Sequence, residues 1–175
     1  MPQQIQLRTA TEDDIPNIET WARAIDAGQF MSRYLPDRSQ TVLWKIIIVD
    51  GVETGTAWVE RKAGLPDVVF LGILIGQSEL LAKGIGRAVI GDVIAGVRAI
   101  AGDVAIQLNV RCGNTRAIAC YRKCGFVQIA SGEKAGGDGV LIPTITMQLS
   151  PDAGSAITHS VSAGCLKKQK TPKAP

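Results

Sequence analysis

The run Val68-Val69-Phe70-Leu71-Gly72-Ile73-Leu74-Ile75 is apolar without alternation, a pattern that a strand can carry only when both of its faces are covered. The next thirty-five residues supply one cover. The turn Leu81-Ala82-Lys83-Gly84-Ile85-Gly86-Arg87 opens a segment, Gly84 to about Ala101, in which Ile85, Val89, Val93, Val97 and Ile100 form a stripe broadened by Ile90 and Ile94. Val104, Ile106, Leu108 and Val110 then alternate with polar or small residues, as in a strand parallel to the first and joined to it by a right-handed helical crossover. Glycines at 84 and 86 let the backbone approach a ligand closely, and the first N–H groups of the helix then face it together with the favourable end of the helix dipole. A pyrophosphate suits such a turn.

The flanking sequence completes a mixed α/β layer. Ile5 and Leu7 fit a short first strand, and Thr11, followed by Glu12, Asp13, Asp14 and Pro16, fits the start of a helix over about Asp13 to Ala27 with Ile15, Ile18, Trp21, Ala22 and Ile25 on its buried face. Gln29 to Gln40 reads as either a loop or a second short helix. Thr41 to Val49 and Thr54 to Lys62 form two antiparallel strands around the hairpin signal Asp50-Gly51. Gly64-Leu65-Pro66-Asp67 turns into the apolar strand. Asn114 caps a helix to about Lys123, in which Asn114, Ala117 and Tyr121 share a face, and Gly125 closes it. Phe126 to Ala130 and Val140 to Leu149 make a last hairpin around Gly132 to Gly139.

Composition bounds the class. A chain of 175 residues, 46% hydrophobic and 20% charged, fits one globular domain over residues 1–150. Residues 151–175 hold Lys167, Lys168, Lys170 and Lys173 against Asp152, which accounts for the whole net charge of +3. The body is charge-balanced, so a nucleic-acid surface is not expected of it, and the tail has too few large apolar groups to offset the entropy of ordering it. No apolar run approaches a membrane span. The start of the chain lacks a secretory pattern, so Cys112, Cys120, Cys124 and Cys165 are expected to be reduced thiols of a cytoplasmic protein. Cys120 and Cys124 lie one helical turn apart, but the single histidine is His159 in the tail and no metal is expected. A dinucleotide-binding reading fails because Val89 stands where a third glycine belongs, and a P-loop fails because no Gly-Lys-Ser/Thr follows.

Two motifs carry a family resemblance. Leu81-Ala82-Lys83-Gly84-Ile85-Gly86 is similar to a Gln/Arg-x-x-Gly-x-Gly/Ala turn, and Asn114-Thr115-Arg116-Ala117-Ile118-Ala119-Cys120-Tyr121-Arg122-Lys123-Cys124-Gly125-Phe126 is similar to Asn-x-x-Ala-x-x-x-Tyr-x-x-x-Gly-Phe. With this order of elements, residues 5–149 resemble the GNAT superfamily of N-acetyltransferases. Their closest likeness is to the branch holding aminoglycoside 6′-N-acetyltransferases and ribosomal-protein N-terminal acetyltransferases. The resemblance implies a mostly antiparallel central sheet of about six to seven strands, a splayed parallel pair at its centre, and about four helices. Alone, Gly84 and Gly86 could be only a tight turn, and Tyr121 only a core aromatic.

The resemblance implies acetyl-CoA as cosubstrate. Main-chain groups of Ala82, Lys83, Gly84, Ile85, Gly86 and Arg87 would hold its pyrophosphate. Leu74 and Ile75 would offer backbone groups to the pantetheine and the acetyl carbonyl, Asn114, with Ala117 and Tyr121 on its helix face, would contact the arm, and Tyr121 would protonate the departing thiolate. A phenol with a pKa of about 10 stays protonated at neutral pH, and direct attack by an amine requires no nucleophilic serine, cysteine or histidine. Leu81 departs from the motif, and no residue stands out as the base; Glu60, Glu79 and Asp67 are the candidates. The acceptor is expected to be a primary amine, with an aminoglycoside or other small polyamine slightly favoured over a protein N-terminus. A catalytically silent acetyl-CoA sensor is the alternative from another class, and homodimerisation is compatible with the resemblance.

Overall fold

The computed structural model describes residues 3–31, 33–136 and 139–151. Chain order runs β1 (Ile5–Thr9), α1 (Ile15–Ala24), β2 (Thr41–Val49), β3 (Val52–Lys62), β4 (Leu65–Ile75), α2 (Ile85–Ala101), β5 (Ala105–Arg111), α3 (Thr115–Lys123), β6 (Phe126–Ala135) and β7 (Leu141–Leu149). The strands form one seven-stranded sheet in the order β1-β2-β3-β4-β5-β7-β6. Only β4 and β5 are parallel; every other neighbouring pair is antiparallel.

Strand parity divides the core in two. Odd residues of β3 and β4, with Ile106, Leu108 and Val110 of β5, face α2 and α3 and pack with Ile85, Val89, Val93, Val97 and Ile118. The even residues Trp58 and Leu74 face the other way and pack with Trp44, Ile46, Ile18 and Ala22 under α1. The unbroken apolar run of β4 thus feeds both cores, as its lack of alternation requires. At the β2–β3 turn Asp50 and Gly51 both take positive φ (51° and 82°), the backbone of a two-residue hairpin.

Several expected boundaries move. The first helix is shorter, Ile15–Ala24, entered through a 3-10 turn at Glu12–Asp14 in which Asp14 accepts from the Thr11 N–H at 2.8 Å. Three α-helices, not four, are present among the described residues, and the stretch 29–40 is mainly loop with a 3-10 turn at Arg38–Gln40. β4 starts at Leu65, and β6 runs on to Ala135 through what reads in sequence as a turn. The outer end of β6 is exposed on both faces, so no apolar alternation marks it as strand. The expectation of four reduced thiols fails at Cys112, which is disulfide-bonded; Cys120 and Cys124 are free. The expected mobile tail, from 151 on, lies outside the described residues except for Pro151.

Candidate active site

β4 and β5 pair only at Val68 with Ala105, Val69 with Ile106 and Phe70 with Gln107, although β4 continues to Ile75 and β5 to Arg111. Beyond that point each strand stays attached to its outer neighbour, β4 to β3 and β5 to β7. The sheet therefore opens into a V whose inner edges carry main-chain groups without a strand partner, available to a guest threaded between them.

On one face, the V is bounded by the starts of α2 and α3. Ala82 (φ 63°) and Gly84 (φ 85°) occupy the left-handed region, turning the chain from the 3-10 turn at Ser78–Leu80 into α2. The first intrahelical bond runs from the Ala88 N–H to the Gly84 carbonyl at 3.1 Å, so the N–H groups of Ile85, Gly86 and Arg87 have no acceptor within the helix. A Cβ on Gly86 would lie 3.5 Å from Cys120 Sγ and 3.8 Å from Ile75 Cδ1, which brings the helix start, α3 and the tip of β4 into contact. Asn114 caps α3, its Oδ1 accepting from the Ala117 N–H at 3.2 Å. That oxygen is committed to the helix, which leaves the Asn114 amide N–H group to reach a ligand.

Tyr121 is buried in the same core as Leu71, Leu108 and Val110 of the diverging strands, its ring edge-on to Phe126 at 6.1 Å between centroids. Burial, reinforced by Cys120 and Cys124, raises its phenol well above the ordinary tyrosine range. It is held protonated. Cys120 and Cys124 share a hydrogen bond beside it; burial pushes Cys124 up to about 11 and also raises Cys120, against the charges of Lys123, Arg87 and Arg116. Arg87 and Arg116 stand in the first turns of α2 and α3, and Lys123 at the end of α3.

On the opposite face, under the α1 side of the sheet, the V opens into a cleft of about 370 Å³. Its floor is Trp58 lying over Gly72: a Cβ at 72 would run into the indole, so only glycine admits this stacking. Of the sequence-based base candidates, Glu60 lines this cleft, whereas Glu79 and Asp67 are exposed and lie outside its lining. Glu60 is buried and engaged at both oxygens, Oε1 by Arg33 Nη2 and Oε2 by the Asp37 N–H at 2.9 Å. The charged residues Arg33, Lys62, Arg111 and Lys134, which line the same cleft, do not stand out in the sequence. The parity of β5 could have placed Arg111, opposite in face to Val110; no local signal points to Arg33 or Lys134.

A seven-stranded sheet with a single parallel pair that parts after three residues, and a glycine turn facing the gap, decides the fold. The fold is that of the GCN5-related N-acetyltransferases. Solved structures with this GNAT fold include the aminoglycoside acetyltransferase AAC(6')-Ib in complex with coenzyme A, which shares 23% identity over 86% of this chain and 96% of its own, with a TM-score of 0.68. A GCN5-related N-acetyltransferase from Kribbella flavida matches at 21% identity over 82% of this chain and 96% of its own, with a TM-score of 0.65. The ribosomal-protein-alanine N-acetyltransferase from Brucella melitensis matches at 20% identity over 82% and 98%, with a TM-score of 0.63. No protein-family model and no curated protein sequence matches the chain. Among the described residues no helix is long and apolar enough to cross a membrane, and no group of three or more metal-ligating side chains is clustered.

Proposed function

We propose that this protein is an acetyl-CoA-dependent N-acetyltransferase that acylates a primary amine by direct attack. The observation that carries the reading is the divergence of β4 and β5 beyond Phe70 and Gln107, with helix-start donors on one side and a cleft on the other. Donors of the Ala82–Arg87 turn suit a pyrophosphate, and the open edges of β4 at Leu74 and Ile75 and of β5 suit an amide-bearing arm. Acetyl-CoA supplies the thioester, whose acyl carbon bonds to the amine nitrogen as the carbon–sulfur bond breaks and the electron pair leaves with sulfur.

Tyr121 is the proton donor to that sulfur. Its buried phenol keeps its proton at neutral pH and can release it to the sulfur as charge develops there. Glu60 can take the amine proton only by loosening its pairing with Arg33, so we assign that step to water in the cleft, with Glu60 fixing the loop at residues 33–37 to β3. The same engagement of Glu60 favours the second reading, an acetyl-CoA-binding module without turnover.

Tyr121→Phe separates the two. The substitution removes one oxygen and should lower kcat by about 10²-fold or more while leaving the acetyl-CoA Kd unchanged, read by release of free coenzyme thiol and by calorimetry. An unchanged kcat would overturn the acid assignment; acetyl-CoA binding with no turnover in the unsubstituted protein would favour the silent module.

A further inference from the structure

The acceptor cleft is electropositive, although the chain body as a whole is charge-balanced. Five cationic side chains line it against two carboxylates. The lining therefore carries three more positive than negative charges, and of the two carboxylates Glu60 is already paired with a cation. Glu60 is held by Arg33 and the Asp37 N–H, and Asp37 accepts from both the N–H and the hydroxyl of Ser39, at 3.0 and 2.7 Å.

Apart from Arg33, paired with Glu60, and Arg61, which is exposed and donates to the Pro66 carbonyl at 2.6 Å, three cations remain. Arg111, at the end of β5, is buried, and its one hydrogen bond is donated to a neutral acceptor, the Gln29 carbonyl at 2.7 Å. Lys62 lies over the Phe70 ring, 5.7 Å from its centroid, and Lys134 reaches in from β6. Among the described residues none of the three has a carboxylate within ion-pair distance. A guanidinium this buried is ordinarily matched by an anion, because the desolvation of an unmatched charge is costly. Burial lowers the Lys134 ammonium, and the charges of Lys62 and Arg33 lower it further, so like charges converge on one space.

Resting on the acetyltransferase reading, we infer that the acceptor is a small primary amine bearing an anionic group, carboxylate or phosphate, which Lys62, Arg111 and Lys134 hold while its amine faces the gap between β4 and β5. A polycation such as an aminoglycoside meets the wrong field here, since it would need free carboxylates where this cleft presents cations. The anion is not a coenzyme phosphate in this arrangement: the cleft opens on the α1 face, and the donors suited to the coenzyme lie at the starts of α2 and α3 on the other.

The test uses the full chain with acetyl-CoA and matched amines: L-amino acids against their carboxamides, O-phosphoethanolamine against ethanolamine, and spermidine and kanamycin as polycations. Acetylation of the carboxylate or the phosphate member with kcat/KM about tenfold or more above its uncharged partner is expected, and the member that responds names the anion. Lys62→Gln with Lys134→Gln, both on exposed residues, should erase most of that preference through KM and leave the acetyl-CoA Kd unchanged; Arg111→Gln should do the same if it folds. Equal rates within each pair, the highest rate on a polycation, or a weakened acetyl-CoA Kd in the double variant would overturn the inference while the acetyltransferase reading stood. Should no amine be acetylated, calorimetry of the same pairs on the coenzyme-A-loaded protein decides. Preferential binding of the anionic members supports the inference without the enzyme, and no preference overturns it.

Discussion

The two faces of the opening between β4 and β5 are built by different means. On the α2/α3 side, the candidate groups are main-chain donors, one buried phenol and a helix cap, all contributed by two continuous stretches, residues 82–87 and 114–121. On the α1 side, they are charged side chains drawn from a loop, two strands and the far end of the last hairpin. A backbone-built site tolerates substitution around it and binds a guest common to many proteins. A site built from side chains can change its charge by single substitutions and so sets which acceptor is taken. A shared fold at 20–23% identity is what such a division permits.

The contrast can be broken from either side. The largest effect is expected on the α2/α3 side: with its thiol pushed up to about 11, Cys124 is protonated at neutral pH and should alkylate roughly 10²-fold more slowly than a free cysteine, speeding up as pH rises towards 11. Iodoacetamide labelling followed by peptide mass mapping checks this. Rapid labelling at pH 7 would show that water reaches the Tyr121 pocket and that its phenol is not held as described. On the α1 side, Gly72→Val should drive a side chain into Trp58, costing about 2 kcal/mol in denaturant unfolding and raising the acceptor KM, with a much smaller change in acetyl-CoA Kd. A larger loss of coenzyme than of acceptor binding would place the acceptor elsewhere.

The same division decides what can be read from the sequence. The strand–helix–strand unit and the cap at Asn114 are local, set by residues within a few positions of one another, and they stand as expected apart from boundaries. The cleft is not local. Arg33 meets Glu60 27 residues away, and Arg111 meets the Gln29 carbonyl 82 residues away. Glu60 is legible as an acid near the cleft by strand parity, but its engagement by Arg33 depends on how residues 29–40 fold back over β3, and that stretch carries no periodic signal. Lys134 is hidden for another reason: exposure of β6 on both faces erases the alternation that would show it as strand. The expectation of a polyamine acceptor comes from the motif resemblance, which concerns the coenzyme side alone, and the charge of the cleft argues against it.

A crystal structure with acetyl-CoA bound tests the division most directly. The pyrophosphate should lie within hydrogen-bond distance of the N–H groups of residues 84–87, with the arm between β4 and β5, its sulfur beside Tyr121, and the cations Lys62, Arg111 and Lys134 free of it. A coenzyme seated instead with its phosphates in the α1-side cleft, against those three cations, would contradict the account.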